Sequence, residues 1–356
     1  MQAAIRLGLR HRGLTSPNPS VGALIVKDGA IVGRGVTAAG GRPHAETQAL
    51  VEAGAAARGA TAYVSLEPCA HHGRTPPCAE ALASAGIAWV VSPIADPDPR
   101  VSGKGFATLR AGGVEVLTDI CADAARLSHA GHILSRRAGR PFVTLKLAVS
   151  ADGYIAAPGP RPVAITGDEA RAHAHMLRAT HDAILVGVGT VLADDPALTC
   201  RLPGMGAQSP VRVVLDRHGR MPAQARMLTD RAAPVWIVAD EGVRIPVGAE
   251  RISPRDAGGA QEVGPLLAAL GGRGVSWLLV EGGARVAAAF LAARLADEIV
   301  IYQGEPVIGE GGLLPFGSAG LAVLGEDGAY TLVEERYMGR DRLTVYRRAA
   351  LAGELE

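Results

Sequence analysis

Aromatic residues make up 4% of this 356-residue chain, and cysteine occurs four times. Four thiols in a chain this long do not build the disulfide framework of a small secreted domain. No run of Lys or Arg stands out, and the net charge is +1. Without a basic stripe and stacking aromatics, a nucleic-acid strand has no platform here. No apolar run approaches the roughly 20 residues of a membrane span. The N-terminal MQAAIRLGLRHRGL has a basic amphipathic helix pattern, without the apolar stretch and cleavage site of a signal peptide. Low-complexity tracts and internal repeats are missing too. These absences set an expectation of a cytoplasmic protein with no nucleic-acid and no membrane partner. A small phosphorylated substrate stays compatible, because it needs only a few local arginines.

Apolar residues, by contrast, are plentiful at 48%. At roughly 100–200 residues per domain, the length predicts two cores. The first block alternates helices and strands. A helix over about 2–13 precedes the turn TSPNPS, then strands VGALIVKDG and AIVGRGV join at Asp28–Gly29, a hairpin signal. HAETQALVEAGAAA, opened by Pro43, is a helix, TAYVSLE a strand, CAEALASAGI a helix and AWVVSPIA a strand. GVEVLT and the helix ADAARLSHAGHILSRRAG close the block. Gly139 and Pro141 punctuate a boundary near 138–142. Beyond it come the strand FVTLKLAVS, the helix GDEARAHAHMLRATH and the strand DAILVGVGTV. Strands VRVVLD, PVWIVAD, VSWLLVEGG and EIVIYQGE follow, with the helix ARVAAAFLAARL between the last two. Both blocks are therefore expected to be α/β, each a sheet covered by helices.

Two of the four cysteines stand close together in SLEPCAHHGRTPPCAEAL, with eight residues between Cys69 and Cys78. His44 and Glu46 start a helix about 25 residues earlier in RPHAETQAL. One imidazole and two thiolates suit tetrahedral zinc, whose fourth position stays with water in catalytic sites. Cys78 opens its own helix after Pro76–Pro77, where the helix N-terminus favours a thiolate. Glu46, not needed as a ligand, is placed to carry a proton from the metal-bound water to a leaving amine. A histidine, one residue, a glutamate and a later Pro-Cys pair form the zinc deaminase signature. Three other readings stay open: a Cys69–Cys78 disulfide, a structural zinc site with His71 or His72 as fourth ligand, and two unrelated core thiols. Cys121 and Cys200 have no motif around them and are expected to be buried, inert thiols.

The first 140 residues resemble the deaminase domain of the bifunctional riboflavin-biosynthesis deaminase–reductase family. TSPNPSVGALIV, PHAE, EPCAHHGRTPPC and DPDPRVSGKGFATLRAGGVEV are all close to that family's motifs. The eight-residue gap between the cysteines is itself a mark of the family. The resemblance implies a cytidine-deaminase-like α/β/α domain over 1–140 and a phosphoribosylated diaminopyrimidine substrate. It implies zinc on His44, Cys69 and Cys78, with Glu46 as the proton shuttle. Asn18, His71, Arg74 and Lys104 would lie around the substrate, and Arg74 is suited to a phosphate.

The second block carries weaker motifs. GVGTVLADDPALTCR and WLLVEGGARVAAAF each run from a strand through a Gly-rich turn into a helix. Such a turn offers backbone N–H groups and a positive dipole end to phosphate. Neither is a G-x-G-x-x-G, so a Rossmann fingerprint is absent. Taken bare, such turns are more often tight connections than phosphate cradles. LKLAVSADGYIA, TVLADDPALTCR, VVLD and VEGGARVAAAFL look like the same family's reductase domain, of dihydrofolate-reductase-like α/β fold, over 141–356. This implies NADPH beside Ala148, Ala164, Thr190, Asp194, Arg217, Gly283, Ala284, Arg285, Val286, Ala287, Ala288 and Ala289. It implies substrate at Lys146, Pro162, Arg178, Leu198, Arg201 and Glu281. In RPVAIT, Pro162 and Ala164 stand where the family commonly has serine and tryptophan, so no indole is available there to stack on a nicotinamide.

The function expected from both motif sets is zinc-dependent hydrolytic deamination of the pyrimidine, then NADPH reduction of the ribosyl group to ribityl. A nucleoside or nucleic-acid deaminase with an inactive fused domain competes with it, as does a non-catalytic zinc-stabilised binding protein. Neither explains ADDPALTCR and VEGGAR together with the first set. Assembly into a homo-oligomer is left open.

Overall fold

The computed structural model describes residues 1–72, 76–159, 163–253 and 262–356. Its chain divides into two compact units, Met1–Ala138 with Leu355–Glu356, and Gly139–Glu354. Among the described residues, no helix is long and apolar enough to cross a membrane.

The first unit is a five-stranded sheet in the order β2-β1-β3-β4-β5. Its strands are β1 (Gly22–Lys27), β2 (Ala30–Val36), β3 (Thr61–Val64), β4 (Trp89–Val91) and β5 (Glu115–Leu117). β1 and β2 form a hairpin closed by Asp28 and Gly29, both at positive φ, the twist-matched turn that Asp-Gly favours. β3, β4 and β5 run parallel to one another. The helices are α1 (Gln2–Leu9), α2 (Ala45–Ala53), α3 (Cys78–Ser84), α4 (Lys104–Ala111), α5 (Ala122–Ser128) and α6 (Ala130–Arg137). The core is rich in alanine, with Ala45, Ala49 and Ala53 of α2 facing Ala23, Ile25, Ala62 and Val64. These small contacts bring α2 down onto β2. A Cβ at Gly33 or Gly35 would collide with the carbonyls of Ala49 or Ala45, so both glycines are required for that approach.

The second unit has a nine-stranded sheet in the order β10-β9-β8-β7-β11-β6-β12-β15-β14. The strands are β6 (Phe142–Val149), β7 (Ala183–Gly187), β8 (Val211–Leu215), β9 (Val235–Val238), β10 (Glu250–Ile252), β11 (Trp277–Val280), β12 (Glu298–Gln303), β14 (Tyr330–Met338) and β15 (Asp341–Arg348). β13 (Pro315–Ser318) packs beside α11 (Ala284–Ala292). From β10 to β12 all pairs are parallel, and β15 and β14 are antiparallel additions. Buried β11 has apolar clusters on both faces, one around Leu278 and Val280 and the other around Leu279. That two-sided burial accounts for its unbroken WLLV run. The remaining α-helices are α7 (Asp168–Ala179), α8 (Val188–Asp194), α9 (Arg226–Thr229), α10 (Val263–Gly272) and α12 (Leu351–Leu355). The chain leaves β6, builds β7 to β10 on one side, and returns to insert β11 between β7 and β6. That reversal opens a crevice at the carboxyl ends of β6, β7 and β11, where open parallel sheets take ligands.

Three expected elements differ. The run DAILVGVGTV is not one strand. β7 stops at Gly187 and α8 begins at Val188, because a continuous apolar run carries no period to separate the two. The helix expected over 122–139 is broken at His129, whose buried imidazole turns in to the Ser65 carbonyl, with Nε2 at 3.0 Å. The first helix ends at Leu9 and not near 13.

Candidate active sites

In the first unit, three side chains converge from separate elements. His44 is the N-cap of α2, Cys78 is the first residue of α3, and Cys69 lies in the loop after β3. His44 Nδ1 lies 3.3 Å from Cys78 Sγ and 3.7 Å from Cys69 Sγ. The three donor atoms all fall within 4.8 Å of one another, and among the described residues no fourth donor joins them. One nitrogen and two sulfurs this close fit zinc bonds of about 2.0–2.3 Å. Both cysteines are free thiols, and His71 and His72 stay outside the cluster. A three-ligand set with an open position is the catalytic pattern, so the structural-zinc and disulfide readings lose their support.

The electrostatics agree. The Cys78 thiol, hydrogen-bonded to the Cys69 sulfur, lowers Cys69 to about 4, with His44 adding to the effect against burial. The same hydrogen bond, with burial, pushes Cys78 up, while the Cys69 contact raises His44. Glu46 is 4% exposed and is not among the three donors. Burial first, and the Cys69 charge second, push its carboxyl up to about 7. It is a buried acid beside this donor cluster, able to hold a proton near neutrality.

Asn18 donates from Nδ2 to the Gly41 carbonyl at 3.1 Å. His71 is half-buried, and its buried Nδ1 has no hydrogen-bond partner among the described residues. Lys104 begins α4, with its ammonium exposed and donating to the Pro99 carbonyl at 2.8 Å. Arg74 lies outside the described residues. Sequence reasoning missed Glu67, buried at 4% exposure. Its carboxylate accepts the backbone N–H of Asp96, Gly103 and Phe106 at 3.0, 2.9 and 3.2 Å. It thereby ties the loop carrying Lys104 to the Cys69 segment. The available signal was a glutamate between a strand and a Pro-Cys pair, a poor place for an unpaired charge.

In the second unit a cleft of about 1930 Å³ opens at the carboxyl ends of the parallel strands. Glu281, just past β11, is gripped by Arg178 of α7 in a bidentate pair of 2.8 and 2.9 Å. Lys146 Nζ stands 3.8 Å from the same carboxylate. Burial would raise Glu281, but Arg178 and then Lys146 overcome it and hold the carboxyl at about 2. Arg201 is exposed and has no ion-pair partner among the described residues. Burial, then Arg178 and Arg226, lower its pKa. Its surroundings are short of negative charge.

Ala148, Ala164, Thr190, Asp194, Leu198, Arg217 and the segment from Gly283 to Ala289 line this cleft, with the exception of Ala287. Ala287 is fully buried in the sheet-facing core, because helix periodicity turns it away from the opening. Arg217 is held by Asp240 at 2.7 Å. Pro162 lies outside the described residues, and neighbouring Ala164 is exposed on the cleft wall. The starts of α8 and α11 both face the cleft, and a Cβ at Gly282 would strike Val286. Two glycine-capped helix starts and a large cavity fit a dinucleotide with phosphates. His175, Tyr302 and His218 also line it and were not anticipated. His175 was legible as the i−3 neighbour of Arg178 on one helix face. Cys200 is buried, whereas Cys121 is only half-buried and caps α5 at positive φ.

The first cluster, with a non-ligating acid beside it, belongs to the class of zinc-dependent nucleobase deaminases. It is joined here to a parallel α/β unit built for a nucleotide cofactor. The family model described as "Cytidine and deoxycytidylate deaminase zinc-binding region" matches residues 1–93, and "RibD C-terminal domain" matches 141–335. Riboflavin biosynthesis protein RibD of Bacillus amyloliquefaciens is 41% identical over 315 residues, 87% of this chain and 84% of that protein. RibD of Escherichia coli K12 is 36% identical over 354 residues, 96% of each. A Thermotoga maritima diaminohydroxyphosphoribosylaminopyrimidine deaminase/5-amino-6-(5-phosphoribosylamino)uracil reductase superposes with a TM-score of 0.88 at 35% identity, over 98% of this chain and 97% of that one. The chain belongs to the RibD family, with a cytidine-deaminase-like N-terminal domain and a RibD-type reductase domain.

Proposed function

We propose that residues 1–140 carry the deaminase and residues 141–356 the reductase of a bifunctional riboflavin-pathway enzyme. The enzyme is zinc- and NADPH-dependent. It hydrolytically deaminates 2,5-diamino-6-(5-phosphoribosylamino)pyrimidin-4(3H)-one. It then reduces the ribosyl group, giving 5-amino-6-(5-phosphoribitylamino)uracil. The observation that carries this reading is the three-donor cluster of His44, Cys69 and Cys78 with the buried, non-ligating Glu46.

Zinc held by His44, Cys69 and Cys78 supplies a water acidified toward pH 7 and hence a nucleophile at neutral pH. Net, a ring C–O bond forms, the C–N bond to the exocyclic amine breaks, and ammonia leaves. Glu46 moves the proton that the departing amine requires, at its buried carboxyl oxygens. Asn18 and His71 face the pyrimidine, and Arg74 and Lys104 supply positive charge for the phosphate.

In the second unit NADPH supplies the hydride. Gly283 to Val286, with Ala288, Ala289 and Thr190, hold its phosphates on the two helix starts, and Ala148, Ala164, Asp194 and Arg217 lie along the rest of the cofactor. Arg178 is committed to Glu281, so Arg201 is the guanidinium that takes the substrate phosphate. Glu281, Lys146, Leu198 and Pro162 complete the substrate side. The substrate is a small molecule. We further assign the protein to the cytoplasm, without a nucleic-acid partner and as a homo-oligomer.

Ammonia and NADPH followed in parallel on the diaminopyrimidine phosphoribosyl substrate test the assignment. Ammonia release should proceed without nicotinamide, and NADPH oxidation should require it to have happened. NADPH consumption with no ammonia, or ammonia from free nucleosides only, would overturn the reading.

A further inference from the structure

Tyr302 is buried, yet its ring reaches the wall of the cleft in the second unit. It stands on β12 beside β6, where Val300 pairs with Lys146 and Tyr302 with Ala148. Residues two apart on a strand share a face, so Tyr302 and Lys146 project from the same side of the sheet. Ala170 and Leu177 of α7 cover that side, in one cluster with Val300 and Tyr302. The Lys146 ammonium lies 5.8 Å from the centre of the Tyr302 ring, within reach of a cation–π contact. β11 flanks β6 on its other side, and Glu281 just past it comes within 3.8 Å of the same ammonium. A flexible four-carbon stem is thus held from both flanks.

The far end of the ring is fixed as well. The Tyr302 hydroxyl and His173 Nδ1 are 2.6 Å apart, and the two rings meet edge to face. Burial pushes the Tyr302 hydroxyl up and the His173 imidazole down. The hydroxyl therefore keeps its proton and donates to a neutral ring nitrogen. His173 itself does not line the cleft, so it supports the ring and meets no ligand there.

We propose that Tyr302 is a positioning residue of the reductase, its ring holding the Lys146 ammonium toward the substrate and its hydroxyl anchored by His173. Tyr302 acts through that ammonium, and its role rests on Lys146 belonging to the substrate side. An aromatic face suits the work. Glu281 alone would draw the ammonium toward the carboxylate that Arg178 already grips. A second carboxylate in place of the ring would repel a phosphorylated substrate, whereas a ring attracts the cation without a net charge.

NADPH oxidation by the full-length protein on already deaminated substrate tests this. Tyr302→Leu should lower kcat by about tenfold, the upper range of a desolvated cation–π contact. NADPH affinity and ammonia release at the first site should be unchanged. In a Lys146→Met protein the same change should have no further effect, because the cation it steers is gone. Tyr302→Phe keeps the ring and loses only the His173 bond, and should cost about threefold. A second series separates packing from the charge of the ring face. Phenylalanine bearing no, one or three ring fluorines at position 302 keeps nearly the same shape while its face loses negative charge. The kcat should fall at each step, and the series should be flat in the Lys146→Met protein. Equal kcat across the fluorinated series would overturn the proposal, and so would equal losses from Tyr302→Leu with and without Lys146, since the ring then only fills space. Wild-type kinetics for Lys146→Met would instead remove Lys146 from the substrate side, and the role of Tyr302 with it.

Discussion

Glu46 is buried and Glu281 nearly so, its side chain 10% exposed, yet their carboxyls are driven in opposite directions. Glu46 is pushed up to about 7 by burial and the neighbouring Cys69. Glu281 is held at about 2, because Arg178 and Lys146 outweigh its burial. One acid keeps a proton to give away, whereas the other is a fixed anion that orders cations around it. The residue type is the same and burial pushes both carboxyls up, so the sign of the nearest charges decides the role. The first suits proton transfer at a leaving amine. The second suits a site that must orient cations toward an anionic substrate and keep them separate from the cofactor's phosphates.

Removing the acid should break this contrast most strongly at the first site. Glu46→Gln should lose ammonia release by roughly 10²–10⁴-fold, the usual scale for a general acid–base group. Zinc content should stay near one per chain, and NADPH oxidation on already deaminated substrate should be unchanged. Loss of zinc together with activity would make Glu46 a ligand and remove the contrast.

At the second site the contrast appears as a pH dependence of stability. The Glu281 carboxyl lies lower in the folded chain than its ordinary 4.5. Its contribution is therefore full above about 4.5 and is lost as the pH falls through that value toward about 2. A difference of that size corresponds to roughly 3 kcal/mol. Glu281→Gln should unfold more easily at pH 7 and show a flatter curve between pH 4.5 and 2 when both are followed by denaturant titration. Parallel curves for the two proteins would show that the Arg178–Glu281 pair does not carry this dependence.

The smallest expected effect sharpens the division of labour among the cations. Arg201 is exposed, so the phosphate contact proposed for it is weaker than a buried one, and Arg201→Ala should raise the reductase KM by about tenfold. Its kcat and the deaminase rate should hold. Equal damage to both activities would point to a shared phosphate site.

Much of the first site was legible in the chain. Its donors are residue types with few other uses in such a pattern, and helix starts at Pro43–His44 and Pro77–Cys78 mark where two of them stand. The Asp28–Gly29 turn was equally plain, since few other pairs accept two positive φ values. Less could be read of the second site. Nothing local to AHAHMLR says that Arg178 will meet a carboxylate 103 residues later. Strand insertion brings them together, and side-chain periodicity carries no information about which strand is inserted where.

The sequence by itself determined the His44, Cys69 and Cys78 donor set, the two-block organisation and the glycine turns. Each follows from the chemistry or steric freedom of residues near one another in the chain. Tertiary structure alone decided that Glu67 anchors three backbone N–H groups, that His129 breaks a helix to reach Ser65, and that β14 lies bare on both faces. These depend on what packs against each residue, and burial and pairing across loops are settled only when the whole sheet has closed around its core.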